Sequence, residues 1–417
     1  MVSRHVLIIV FHFPPAKGSS GIQRTLKFCA YLREHGWSPV VLTVSPRAHE
    51  FVSDEQLRDI PQGVPVERVF CVDTARALSI RGRYFRWMAQ PDRWVSWWPG
   101  GVLKGLSLIR RYRPNAILST FPIATAHLIG LTLHRLSGVP WVADFRDSMT
   151  EDNWPRDPFT RRVHRTLEAA TLRECARAVF TTPGAVKMYS QRYPAIPATR
   201  LSIVENGFDE ENFVDAETNM VRAPETEGER VTLVHSGLLY PEDRDPRPFL
   251  EALARLRSRG EIGPATLRVR LRAPGNDGYY NSLLEEHALS DIVSIENAVG
   301  YRSALQEMLC ADGLLLFQGP TCNHQIPAKL YEYFRAGRPI FALTDPSGDT
   351  ASVLRTAGVP DIVGITDADA IELALNAFLA DIRAGRRTGV ARSVASTYSR
   401  SARTAELAGI LDCVASG

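Results

Sequence analysis

Little in this 417-residue chain points to a redox centre, a metal or a nucleic acid. Its six cysteines (Cys29, Cys71, Cys175, Cys310, Cys322 and Cys413) are scattered without CxxC spacing, which argues against a zinc site and a disulfide framework. A reducing, cytoplasmic interior is the default expectation. The 49 basic and 46 acidic side chains leave a formal charge of only +3, too little for a nucleic-acid footprint. The apolar run near the start, in MVSRHVLIIVFHFPP, is six residues long; that is short for a signal h-region, and no small-residue cleavage site follows. The longest uncharged stretch, 116–134, is interrupted by Pro122 and His127, so a strand followed by a buried helix explains it better than a membrane span. Two phosphate-binding fingerprints are missing as well. After the first strand the loop reads AKGSSG, which is neither a Walker loop closing in GKS or GKT nor a G-x-G-x-x-G turn. No Ser/His/Asp or Cys/His constellation for covalent catalysis is evident.

What is present is a regular alternation. Apolar β-rich runs occur at 5–10, 39–43, 67–72, 116–120, 141–145, 178–182 and 201–205, with helical patterns between them. Most are apolar throughout, as strands buried on both faces of a parallel sheet are. A polar, acidic stretch follows at 206–230 and reads as an interdomain connection. The alternation then restarts at 231–237, 266–275, 292–299, 313–319, 339–344 and 361–366. The expectation is α/β, with two Rossmann-like, doubly wound parallel-sheet domains at 1–205 and 231–399. The helical pattern at 400–417 is expected to pack back on the N-terminal domain. Two such sheets facing across a cleft would bind a bulky, phosphate-bearing ligand at their carboxyl edges.

Four stretches carry chemistry. Gly18, Ser19, Ser20 and Gly21 form a small-residue loop opening a helix, where unpaired N–H groups suit an anion, although a turn with Ser20 as cap is the plainer alternative. WVADFRDSM places Asp144, Arg146 and Asp147 at the end of a buried strand, with an Asp–Arg pair closing that strand as the alternative. HSGLLYPEDRDP brings Gly237 and Arg244 ahead of a helix, within reach of a diphosphate. The D-x-D at Asp243–Asp245 is weak evidence for a metal, and none is expected. In QIPAKLYEYFRAGRPIFAL, Pro327 suits a first helical position, and Lys329 and Glu332 are three residues apart on one face. A lysine at a helix start opposes the dipole, so an anion above it makes sense of the choice. Glu332 can accept two hydrogen bonds from vicinal ribose hydroxyls.

At these residues the chain resembles the GT-B glycosyltransferases of the large retaining family 4. The resemblance spans essentially the whole sequence and is strongest at 11–43, VADFRDS (142–148), VENGFD (204–209) and IPAKLYEYFRAGRPIFA (326–342). It implies a metal-independent transferase without a cofactor, moving sugar from a nucleoside diphosphate (UDP is the expected carrier) to a hydroxyl with retention of configuration. Gly18, Ser19, Ser20, Gly21, Gly237, Arg244, Asn323, Gln325, Ile326, Lys329 and Glu332 would bind the donor. Arg146, Asp147, Arg244 and Lys329 would serve catalysis. The sequence departs from the pattern in three places. His324 stands where the first glutamate of the family's pair is usual, Arg146 lies where many members carry a histidine, and no second diphosphate lysine follows Arg244.

On the acceptor side, residues 81–101 hold four of the seven tryptophans together with four arginines. Such a mixture suits a peripheral membrane contact, a sugar-stacking groove, or packing on the first domain. A glycan, lipid-linked or small-molecule acceptor is expected, in cell-surface glycan or glycosylated-metabolite synthesis, and nucleic acid is not. A sugar-nucleotide epimerase and a catalytically silent sugar-nucleotide binder are the rival readings.

Overall fold

The structure, a computed structural model, describes residues 4–16, 21–77, 85–151, 154–220 and 230–416. Among them, every predicted strand forms. The first sheet contains β1 (Arg4–Ile9), β2 (Trp37–Val44), β3 (Val66–Val69), β4 (Ala116–Thr120), β5 (Trp141–Phe145), β6 (Arg177–Phe180) and β7 (Leu201–Ile203). The second contains β8 (Val231–Ser236), β9 (Leu267–Arg272), β10 (Val293–Glu296), β11 (Gly313–Gln318), β12 (Ile340–Thr344) and β13 (Ile362–Val363). Some are shorter than the apolar runs suggested. β9 stops at Arg272 because Ala273 takes a left-handed φ of 52° ahead of Pro274.

The chain divides into two units, Met1–Asn206 with Arg400–Gly417, and Gly207–Ser399. In the first, seven parallel strands run in the order β3-β2-β1-β4-β5-β6-β7. Alternate residues of β1 enter different cores. Leu7 and Ile9 face Trp97 and Leu108 of the helix Trp97–Tyr112 and Ile129 of the helix Ala124–Ser137. Val6 and Ile8 face Leu26 and Phe28 of the helix Gly21–Tyr31, with Leu407 and Leu411 of the helix Arg400–Ala415. Burial on both faces is why the strand shows no polar alternation. The C-terminal helix is held further by Asp412, which accepts from Trp37 Nε1 at 2.8 Å and pairs with Arg4 at 2.8 Å.

In the second unit six parallel strands run β10-β9-β8-β11-β12-β13. Leu233, Leu315, Phe317 and Phe341 pack under the helices Arg247–Ser258 and Ala368–Arg383. Leu314, Leu316, Ile340 and Ala342 pack on the other face with Leu330 and Phe334 of the helix Lys329–Ala336.

The polar stretch read as a connection, 206–230, is more than that. Residues 221–229 lie outside the described residues, but Glu210–Thr218 form a helix capped by Asp209. It buries Phe213 and Ala216 in the second core. Arg335, only 7% exposed, holds Glu210 at 2.7 Å and Glu217 at 2.8 Å and lies 4.9 Å from the Phe213 ring. Two of the acidic residues that gave this stretch its polar character, Glu210 and Glu217, are partners of a buried arginine far along the chain.

Candidate functional site

In the second sheet the strand order reverses between β8 and β11, the place where open α/β sheets bind ligands. Gly237 follows β8 with φ 106°, a value that strongly favours glycine. A Cβ there would stand 2.9 Å from Lys329 Nζ, so the glycine leaves room for the ammonium. Lys329 keeps partial solvent contact. Its Nζ lies 3.3 Å from His235 Nε2, and it has no carboxylate within ion-pair distance among the described residues. Burial first, and then the Arg244 charge, lower its pKa from 10.5 to about 7, while Glu332 acts the other way.

His235 completes this arrangement and was not anticipated. Its Nδ1 lies 2.9 Å from Leu315 O, and its Nε2 lies 3.0 Å from Gly237 O and 3.3 Å from Lys329 Nζ. Burial and the neighbouring Lys329 charge hold its pKa well below the ordinary histidine value. The imidazole is therefore neutral and adds no positive charge beside the lysine. Nothing in the sequence marked this role, since it depends on β8 and β11 being neighbours.

The loops after β8 and β11 interlock. Arg244 donates from Nε to Gln318 Oε1 at 3.2 Å and lies 5.4 Å from the Tyr240 ring. Thr321 donates to Asp243 at 2.6 Å, and a Cβ on Gly319 would fall 1.9 Å from Asp243 O. Asp245 is bound by Arg247 at 2.7 Å, so both D-x-D carboxylates have protein partners. Glu332 accepts from Tyr301 at 2.7 Å, a contact that fixes one of its oxygens and that spacing gave no hint of. Asn323 holds Asp345 at 2.6 Å, Gln325 O accepts from Thr350 at 3.0 Å, and Ile326 is buried in the core. Those three shape the loop ahead of Lys329. Pro327 precedes the helix rather than starting it; its carbonyl accepts from Leu330 N–H at 3.0 Å. Gly337 closes the helix with φ 65°.

In the first unit Gly18, Ser19 and Ser20 lie outside the described residues. Gly21 opens its helix directly against Arg146, for a Cβ there would come within 1.2 Å of the guanidinium Nη1. Arg146 donates to Asp147 at 2.9 Å. The structure thus joins three predicted residues, Gly21, Arg146 and Asp147, at the carboxyl ends of β1 and β5. His12, Thr120 and Pro122 line the same small cavity. Asp144 belongs elsewhere. Both its oxygens are taken by Arg24, at 3.0 and 3.2 Å, and Arg24 also donates to the carbonyls of Val204 and Glu205 at 2.9 Å. That is the plainer, structural alternative for this aspartate.

Of the tryptophan-rich stretch, 78–84 lie outside the described residues. Trp97 is fully buried, Trp94 packs 4.9 Å from Phe11, and Trp98 is 38% exposed while donating to Thr132. Among the described residues, no helix is long and apolar enough to cross a membrane, and no three His, Cys, Asp or Glu side chains are grouped to hold a metal.

Residues 20–207 match the glycosyl transferase 4-like domain family. A search of curated protein sequences finds no match. Among solved structures, a UDP-forming α,α-trehalose-phosphate synthase from Burkholderia xenovorans is similar, with TM-score 0.67 and 13% identity, covering 98% of this chain and 100% of that one. HepE of Anabaena, solved with UDP, gives 0.66 at 13% identity with the same coverage. Sucrose-phosphate synthase from Thermosynechococcus elongatus gives 0.66 at 14% identity, covering 98% of each chain. The two parallel sheets are those of the GT-B fold. Residues 20–207 are thus similar to a glycosyl transferase 4-like domain, and nearly the whole chain shares the GT-B fold of these three structures.

Proposed function

We propose that the protein transfers a sugar from a nucleoside-diphosphate sugar, with UDP as carrier, to a hydroxyl acceptor with retention of configuration. The observation that carries this reading is Lys329, an ammonium without a carboxylate partner among the described residues, set at a helix start beside Gly237 at the switch point of the second sheet. A site of that kind is completed by an anion. Arg244, which beyond its bonds to Gln318 and to the Leu238 carbonyl keeps further N–H groups, is the second cation for a diphosphate. Glu332, steadied by Tyr301, is the ribose acceptor.

In this reading the acceptor hydroxyl attacks on the face from which the diphosphate leaves, and a departing phosphate oxygen takes its proton. No enzyme nucleophile is needed. Arg244 and Lys329 neutralise charge building on the leaving group, so a divalent ion is not required. The products enter cell-surface glycan or glycosylated-metabolite synthesis on the cytoplasmic side. A thermal-shift screen against nucleoside diphosphates and their sugars tests the donor, since a ligand of the folded state raises the melting temperature. UDP and a UDP-sugar should stabilise the chain above other nucleotides, and NMR of the product should show the donor's anomeric configuration. A flat screen, or an Arg244→Ala protein that turns donor over at the parental rate, defeats the proposal.

A further inference from the structure

We infer that the first unit contains a phosphate-binding subsite built from His12, His49, Arg68 and Arg146, and that it takes an acceptor bearing a phosphate monoester. Calling the ligand an acceptor rests on the transferase reading above; the subsite itself does not. The strand order β3-β2-β1-β4-β5 gathers residues that lie far apart in sequence. His12 follows β1, His49 follows β2, Arg68 belongs to β3 and Arg146 follows β5. The His12 and His49 rings are 6.5 Å apart, and Phe11 packs edge-on against both, at 5.1 Å from each.

Three features point to an anion. Arg68 donates from Nη2 to Pro14 O at 2.5 Å, while its Nη1 is buried and has no partner among the described residues. His49 Nε2 is likewise buried without a partner. Across the four side chains the one carboxylate in ion-pair contact, among the described residues, is Asp147 on Arg146, and it is 55% exposed. A buried donor with no acceptor costs on the order of 1–3 kcal/mol, a cost relieved when a ligand supplies the oxygen. With no anion bound, burial and neighbouring cations hold both histidines down at about 4. A neutral sugar would call for carboxylate acceptors here as well as donors. A phosphate offers three acceptor oxygens to donors converging from several strands, and guanidinium matches it in geometry. The monoester can be carried by a soluble sugar phosphate or by a polyprenyl lipid.

The test uses the full chain, with inorganic phosphate, glucose 6-phosphate and UDP as calorimetric probes. Phosphate and glucose 6-phosphate should bind the parent protein whether or not UDP is saturating. Arg68→Leu should weaken both by about tenfold or more, the scale of one charge-assisted hydrogen bond, and leave UDP binding unchanged. Arg244→Ala should do the reverse. His49→Asn gives a second reading of the same site should Arg68→Leu fail to fold. Co-sedimentation with vesicles carrying a polyprenyl phosphate, abolished by the same substitutions, identifies the lipid source; binding of glucose 6-phosphate alone identifies the soluble one. The subsite is overturned if phosphate fails to bind the parent, or if it competes with UDP and is lost in Arg244→Ala rather than Arg68→Leu. Phosphate binding without UDP binding would leave the subsite standing and remove the transferase reading, while the opposite pattern would do the converse.

Discussion

Replacing Lys329 with methionine separates function from stability. The substitution keeps length and apolar stem but removes an ammonium held among His235, Gly237 and Arg244 without a carboxylate partner. Each pH unit by which a pKa falls corresponds to about 1.4 kcal/mol, so a fall from 10.5 to about 7 sets an upper figure of about 5 kcal/mol. Partial solvent contact screens this, and about 1–2 kcal/mol is the expected gain at pH 7. For a unit of this size that raises the melting temperature by about 2–8 °C. The sign follows from the depressed folded pKa. Between about pH 7 and 10.5 the unfolded chain holds a proton that the folded chain has lost, so parental stability climbs with pH across that window. Lys329→Met lacks this climb, and the two melting curves should converge near pH 10.5. UDP affinity should fall by about tenfold or more, since a charge-assisted hydrogen bond is worth about 1.5–3 kcal/mol. Calorimetric melting at several pH values, with UDP titrations at pH 7, reads both effects. A variant that melts lower than the parent at pH 7, or binds UDP as tightly, refutes the account of this lysine.

Arg244→Ala should reduce turnover on the order of 10²-fold or more while barely moving the melting temperature, because its bond to Gln318 is to a neutral group and its ion pair with Asp243 is long, at 3.8 Å; steady-state kinetics and calorimetry check both. Gly319→Ala should disrupt the site more than a surface substitution does, since a Cβ 1.9 Å from the Asp243 carbonyl is relieved only by moving backbone; loss of UDP binding measures it. Phe213→Ala should cost about 3–5 kcal/mol in denaturant unfolding, if the helix Glu210–Thr218 belongs to the second core. Asp144→Ala should cost about 3–5 kcal/mol by stranding Arg24, whereas the paired change Arg24→Met with Asp144→Leu should recover most of that stability.

The sheets were legible because both faces of each are covered, which leaves long apolar runs between turn residues. Both strand sets, β1 to β7 and β8 to β13, could be placed from that pattern alone. The positions of Arg244 and Lys329 near one switch point followed from the motifs around them. Side-chain partnerships were much less legible. His235 and Lys329 meet because β8 pairs with β11, and Tyr301 reaches Glu332 from a helix that precedes β11. Neither pairing leaves a local trace. Asp144 stands with Arg146 and Asp147 at the end of a buried strand in the sequence, yet its charge is consumed by Arg24, 120 positions away. The stretch 206–230 misled in a similar way, since the arginine that neutralises its glutamates lies at 335.

The two switch points, each considered within its own unit, solve different chemical problems. The second combines a permanently charged guanidinium with an ammonium whose pKa is brought down to about 7, on a loop pair locked by Thr321–Asp243 and Arg244–Gln318. Its geometry exists before the ligand arrives, which keeps the reorganisation cost at the leaving group low. The first combines two permanent guanidiniums with two imidazoles, and burial holds the imidazoles down at about 4. An anion placed there would raise both histidines and draw protons toward the site, so its affinity should grow as pH falls, while UDP affinity would follow the charge on Lys329. Ligands that differ in how strongly they tie up protons would therefore give distinct pH signatures from the same chain. Two such signatures, separable by Arg68→Leu and Arg244→Ala, are what a donor site and an anionic acceptor site require; a single shared signature would mean one anion site serves both.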